Sequence, residues 1–222
     1  SVTIIQLFTN FLAGGAVIYM TPRAGVYRVL IPATVWTFAI TFAGAAVMWL
    51  LGRLWPVTEI IPQGYFWHVL VLAWVISFNS LNLNFLLGLE KVKLFNMMNV
   101  LMSVLLIAIL SFFLFVAGIR EVMAYYWALL IAYSVTFAAG SVSLIPFIKK
   151  EPLTNMKTLI AEILRFGSYV QVANFFQTMN YRLSLKFVDL FHGRAAVGVL
   201  NLGLQLAEGL WLISRSLGIV QY

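Results

Sequence analysis

Residues 96–118, NMMNVLMSVLLIAILSFFLFVAG, contain no charged side chain. A helix needs about 20 mostly apolar residues to cross the hydrocarbon core of a bilayer, and this run supplies them. Working outward, comparable blocks lie at 3–20, 29–52, 66–89, 122–148, 167–190 and 196–219. Turn and charge signals separate them: Thr21-Pro22-Arg23 to Arg28, Arg53 to Gly64, Glu90 to Lys93, Arg120-Glu121, Lys149 to Arg165, and His192-Gly193-Arg194. The expectation is an all-α polytopic transmembrane bundle of seven spans.

Composition agrees. Of 222 residues, 63% are hydrophobic and only 9% charged, with a mean hydropathy of +0.98. No soluble enzyme or secreted module presents such a surface. The net charge of +7 is dispersed between apolar blocks and forms no basic run with interleaved aromatics, so membrane topology explains it and nucleic acid is not an expected partner. Cysteine is absent, which removes disulfides, thiolate nucleophiles and Cys-based metal sites. Residue 1 is Ser and both ends fall beside apolar helices, so the chain reads as a fragment whose first helix and C-terminal portion are missing.

The first, third and fifth connections hold Arg23, Arg28, Lys91, Lys93, Lys149, Lys150, Lys157 and Arg165, against Arg53, Arg120 and Arg194 in the others. By the positive-inside rule the odd connections face the cytoplasm. The fifth is the longest. There Glu151-Pro152 signals a helix start, and Leu153, Met156, Ile160, Ile163 and Leu164 share one face opposite Thr154, Lys157, Glu162 and Arg165. That pattern fits an interfacial helix on an anionic leaflet, or an ordinary solvated connector.

Polar residues enter the sixth span in register. At 100° per residue Gln171, Asn174, Thr178, Arg182, Lys186 and Asp189 fall within an arc of about 120°. In the seventh span Asn201, Gln205, Glu208 and Arg215 fall within about 80°. A lipid-facing Arg at the bilayer centre costs about 3 kcal/mol, so such stripes face protein or a water-filled cavity. Pairing of Arg182 or Lys186 with Glu208, and of Asp189 with Arg194, would make them interhelical ties. Arg182, Lys186 and Arg215 still outnumber Asp189 and Glu208, and a surplus cation suits an anionic cargo.

Asn79, Ser80, Asn82 and Asn84 in the third span, with Gln6 and Asn10 in the first, read as interhelical hydrogen bonding or as further lining of the same cavity. Gly14, Gly15, Gly44, Ala45, Ala46, Ala138, Ala139 and Gly140 read as close helix contacts. No catalytic motif occurs: there is no His-Glu-x-x-His, nucleophile elbow or phosphate-binding loop. His68 beside Trp67 is placed as an interfacial anchor and His192 as a loop residue.

Four runs carry a family resemblance: Arg165 to Tyr169 (RFGSY), Asn180 to Leu183 (NYRL), Gly193 to Gly198 (GRAAVG) and Gln205 to Ser216 (QLAEGLWLISRS). They resemble the start of the second lobe in Wzx-type polysaccharide flippases of the multidrug/oligosaccharidyl-lipid/polysaccharide exporter superfamily. The resemblance implies a two-lobed fold around a central cavity that passes polyprenyl-diphosphate-linked oligosaccharide across the bacterial inner membrane during cell-surface polysaccharide biosynthesis. On this mapping residues 1–148 are five helices of the first lobe, 149–166 a cytoplasmic amphipathic linker, and 167–222 the first two helices of the second lobe. Many relatives have an acidic residue where this chain has Ser184, so coupling to protons or sodium would fall to Asp189 or Glu208, or to the missing part of the protein.

The expected function is therefore transport without catalysis or cofactor. Arg182, Lys186 and Arg215 would meet diphosphate, and Gln171, Asn174, Asn201 and Gln205 would bond sugar hydroxyls. The partners are the lipid-linked oligosaccharide and membrane lipids. The alternatives are an exporter of small compounds from the same superfamily, and a membrane-embedded glycosyl or acyl transferase built on Asp189, His192 and Arg194.

Overall fold

Hydrocarbon offers no hydrogen bonds to a backbone, so each membrane segment must satisfy its own. The computed structural model obeys this: it is about 90% helical, with no strand among the described residues. The structure describes residue 9 and residues 14–54, 65–119, 121–150 and 152–220. The helices are α1 (Gly15–Ala24), α2 (Val26–Leu54), α3 (Phe66–Gly88), α4 (Val92–Ser111), α5 (Val122–Leu144) and α6 (Met156–Val220). A π turn, Phe112–Val116, prolongs α4, and a 3₁₀ turn, Ile145–Phe147, prolongs α5.

Four stretches are long and apolar enough to cross a membrane: Val26–Val47, Phe66–Gly88, Val92–Val116 and Val122–Phe147. They correspond to the blocks expected at 29–52, 66–89, 96–118 and 122–148. The expected span 3–20 lies mostly outside the described residues, as do Gln6, Asn10 and the connection from Trp55 to Gly64. Residues 167–190 and 196–219 are helical but are not among the four. In 167–190, Arg182, Lys186 and Asp189 interrupt the apolar run.

The turns are tighter than the sequence suggests. Pro22 does not end the first helix; it sits in the last turn of α1, and the break falls on Gly25 alone, at φ 80°. That conformation is open to glycine and strained for other residues. α3 ends in a Schellman arrangement, with the Lys91 N–H donating to the Leu86 carbonyl at 2.8 Å and the Glu90 N–H to Leu87 at 2.9 Å. Glu90 takes the left-handed position at φ 58°. The helix expected from Glu151-Pro152 starts four residues beyond the proline, after a turn at Thr154 and Asn155. Asn155 tolerates φ 55°, and its carbonyl accepts from the Leu159 N–H at 3.1 Å.

The chain divides into two units, Ser1–Val170 and Gln171–Tyr222. In the first, the core lies at the end holding the odd connections: Val17, Val29, Phe85, Leu86, Met98, Leu144, Leu159 and Ile163 pack together. The first and fifth connections meet there through the Arg28 Nη2 bond to the Thr154 carbonyl, at 2.5 Å. The third joins them where Lys91 Nζ lies 5.2 Å from the Phe147 ring centre. At the other end His68 sits edge-on to Tyr126, with ring centres 5.1 Å apart. The helices of this unit thus alternate in direction as the charge count assumed.

Small residues set how closely the helices approach. α5 buries Ala124, Ala128, Ala132, Thr136, Gly140 and Leu144, one every fourth residue, which is the ridge used by close-packed membrane helices. Of the small residues singled out from sequence, Gly14, Ala45 and Gly140 are buried and Ala138 is exposed. By contrast α4 buries only Met98 and exposes Met97, Val100, Val104 and Ile107 along one face. A bilayer or another apolar helix satisfies such a face; water does not.

α1 and α3 approach closely at Gly88. A Cβ placed there would lie 2.8 Å from Thr21 Cβ and 3.0 Å from the Ile18 carbonyl oxygen. Pro22 lacks the N–H that would bond that carbonyl in a regular helix, and the glycine leaves room for the close approach. Gly88→Ala is expected to force the helices apart and cost about 1–3 kcal/mol, read as a lowered midpoint of thermal unfolding in detergent.

Candidate functional site

The expected stripe lies on α6. Its backbone is helical throughout except at Gly193, where φ is 76° and ψ 175°. That break falls within the connection expected at His192-Gly193-Arg194. Over 171–192 the helical register therefore holds. Gln171 and Asn174 are half-buried, while Asp189 and His192 are exposed. The amide oxygen Oε1 of Gln171 is buried without a hydrogen-bond partner. The side chains of Thr178, Arg182, Lys186, Arg194, Asn201, Gln205, Glu208 and Arg215 lie outside the described set, and with them the expected ion pairs. A different arc of the same helix is apolar and exposed: Val172, Phe176, Met179, Leu183, Phe187 and Leu190; the exposed Phe175 falls within the polar arc itself.

Within Ser1–Val170 the buried polar residues divide into tied and untied groups. Asn82 ties α3 to α5, its Nδ2 donating to Ser141 Oγ at 2.8 Å and to the Phe137 carbonyl at 3.2 Å. Gly140 lies beside it, where a Cβ would be in ordinary contact with Asn82 Cβ at 3.5 Å. At Asn82 this is the interhelical bonding that is one of the two readings for the third-span polar residues. Thr37 and Thr136 bond carbonyls one turn back, at 2.8 Å each. Thr41 Oγ1, Ser77 Oγ and Asn79 Oδ1 are buried with no hydrogen-bond partner.

A second polar assembly was not anticipated as a site. The last turns of α1, the first turn of α2 and the opening turns of α6 enclose a cleft of about 510 Å³. Asn155, Thr158, Glu162, Arg165 and Tyr169 line it from one face of α6, at spacings of three and four residues. Arg23 and Arg28 face them from α1 and α2. Leu159 and Ile163 bury the adjoining face of α6 in the core. The amphipathic helix of this connection thus docks on protein by Ile163 from the expected apolar face and by Leu159 beside that face, with Met156, Ile160 and Leu164 half-buried and Leu153 left exposed.

The cleft is held in shape by aromatic stacking. Tyr19 lies parallel to Phe166, with centroids 4.2 Å apart and planes within 8°. The Arg23 guanidinium carbon sits 3.7 Å from the Tyr19 ring centre, and Nη1 donates to the tyrosine hydroxyl. The spacing of four residues between Tyr19 and Arg23 makes this a contact along one helix face. Arg28 spends Nη2 on Thr154, as above. Glu162 is the cleft's acidic side chain among the described residues, against three guanidiniums.

In the sequence Arg23 and Arg28 mark only topology, and Arg165 marks topology, the polar face of the amphipathic connector and the start of the RFGSY run. Arg28 and Arg165 stand in the first and fifth connections, and nothing local to either connection signals the other.

Compared with protein-family models, curated proteins and solved structures, the chain has no match.

Arg28→Gln should release the start of α6 from the first connection. The loss of a partly exposed charged hydrogen bond, about 1 kcal/mol, is expected to speed amide exchange over residues 152–160 roughly fivefold while α3 and α5 are unaffected.

Proposed function

We infer that this chain is part of a bacterial inner-membrane flippase for polyprenyl-diphosphate-linked oligosaccharide, working by alternating access and not by catalysis. The observation that carries the reading is the two-sided helix from 171 to 192. Its backbone is unbroken there, so Gln171, Asn174, Thr178, Arg182, Lys186 and Asp189 keep one arc. Exposed apolar side chains such as Val172, Phe176, Leu183 and Leu190 occupy another. A helix of this kind suits a position between lipid and an aqueous cavity, where the polar arc is hydrated and the apolar arc solvated by acyl chains.

In this reading the seven-span arrangement holds, with 3–20, 167–190 and 196–219 added to the four apolar helices. Residues 1–148 form part of one lobe, 149–166 the cytoplasmic linker and 167–222 the start of the other. Arg182, Lys186 and Arg215 carry the surplus positive charge toward the diphosphate, since guanidinium and ammonium groups bind such oxyanions by charge-assisted hydrogen bonds. Gln171, Asn174, Asn201 and Gln205 serve sugar hydroxyls. Asp189 and Glu208 are the groups able to couple proton or sodium movement to transport.

Replacing Arg182 and Lys186 together by Gln in the intact protein is expected to lower export of lipid-linked oligosaccharide at least about tenfold, with membrane insertion and expression retained. Unchanged export by the folded double variant would sink the cavity role.

A further inference from the structure

We propose that the cleft between α1, α2 and the opening turns of α6 binds a phosphomonoester group, with Arg23, Arg28 and Arg165 as its cationic ligands. The proposal goes beyond the transport reading and stands without it, because none of these residues belongs to the polar arc of residues 171–189.

Charge balance comes first. Three guanidiniums and the Glu162 carboxylate line the cleft, which leaves a surplus of two positive charges, three minus one. A phosphomonoester carries about −1.5 to −2 near neutral pH, so it neutralises the cleft where a single carboxylate or a phosphodiester would leave charge over.

Donor geometry follows. Each guanidinium presents five N–H groups in a planar fork that matches phosphate oxygens. The described hydrogen bonds use Nη1 of Arg23 for Tyr19 and Nη2 of Arg28 for Thr154. For the guanidinium of Arg165 none is described. The remaining donors are free to take oxyanion oxygens. Those same two bonds, with the Tyr19 and Phe166 stack, hold Arg23 and Arg28 in place before any ligand arrives. Pre-placed side chains lose less rotamer freedom on binding.

The volume is also right. About 510 Å³ falls within the range of small-molecule sites, ample for a phosphate with a polar substituent. Asn155, Thr158 and Glu162 are placed to bond hydroxyls on that substituent.

The phosphate could reach the cleft on a membrane lipid or on a soluble compound, and phosphatidic acid and glycerol phosphate share the headgroup while differing in the acyl chains. The test is native mass spectrometry of the full chain released from phosphatidylcholine nanodiscs doped with phosphatidic acid, with phosphatidylserine as the comparison. One phosphatidic acid is expected to stay bound in preference to phosphatidylserine, or glycerol phosphate to bind saturably in its place. Arg165→Gln should weaken either probe at least about tenfold. Its exposed side chain makes this variant safe for the fold, and Lys93→Gln, an equal charge loss outside the cleft, should bind like the parent.

Displacement of phosphatidic acid by glycerol phosphate would assign the site to a soluble phosphate compound. Retention despite it would assign the site to a lipid headgroup, and either outcome upholds the cleft as a phosphate site. Equal retention of the two lipids without binding of glycerol phosphate would overturn the proposal. So would equal behaviour of Arg165→Gln and Lys93→Gln. Neither result bears on export by the Arg182 and Lys186 variant, so the two readings fail separately.

Discussion

Everything in this chain follows from the need to bond every backbone amide without water. With 63% hydrophobic residues, long stretches have no solvent to turn to, and the helix is the segment that satisfies its own N–H and C=O groups. Helices, however, gain little from hydrophobic burial against one another when lipid is equally apolar. Their association must come from close contact and from polar ties. The fourth-residue ridge Ala124, Ala128, Ala132, Thr136 and Gly140 provides the first, and Asn82 on Ser141 and Phe137 provides the second. Gly88 against Thr21 and Ile18 is a further close contact.

The same constraint sorts polar residues. Thr37 and Thr136 spend their hydroxyls on their own helices, whereas Asn82 spends its amide between two. Thr41, Ser77 and Asn79 keep buried oxygens without partners, an arrangement that makes this interior polar as well as packed. Cationic residues follow a different rule. Arg23 and Arg28 stand where helices end, Arg23 held by Tyr19 one turn back and Arg28 by the Thr154 carbonyl of the fifth connection, each still rich in donors. The end of the bundle that collects the odd connections is therefore both the centre of the apolar core and the place where guanidiniums converge.

Much of the architecture was legible because a membrane span is a one-dimensional signal. Val92–Val116 and Val122–Phe147 can be read from length and lack of charge, with boundaries displaced by a few residues. The punctuation was less legible. Pro22 looks like a turn, yet it remains in the last turn of α1, and the break falls three residues later at Gly25. Glu90 occupies a left-handed position usually given to glycine, because the Lys91 and Glu90 amides close the end of α3 around it. Residues 153–165 have the periodicity of an interfacial helix, but periodicity specifies an apolar face and not what covers it; in this fold the core around Leu159 and Ile163 does so.

The amino-acid order alone determined helical class, the four apolar spans, the alternation of charged connections and the register of the polar arc on α6. These depend on neighbours three to twenty residues apart, within the reach of helical periodicity. The cleft depended on tertiary structure. Arg23 and Arg28 meet Arg165 only because α1, α2 and α6 pack at one end of the bundle, and Tyr19 finds Phe166 across a gap of well over a hundred residues. No periodicity encodes that distance. It is decided by which small residues let helices approach, and so by packing in three dimensions.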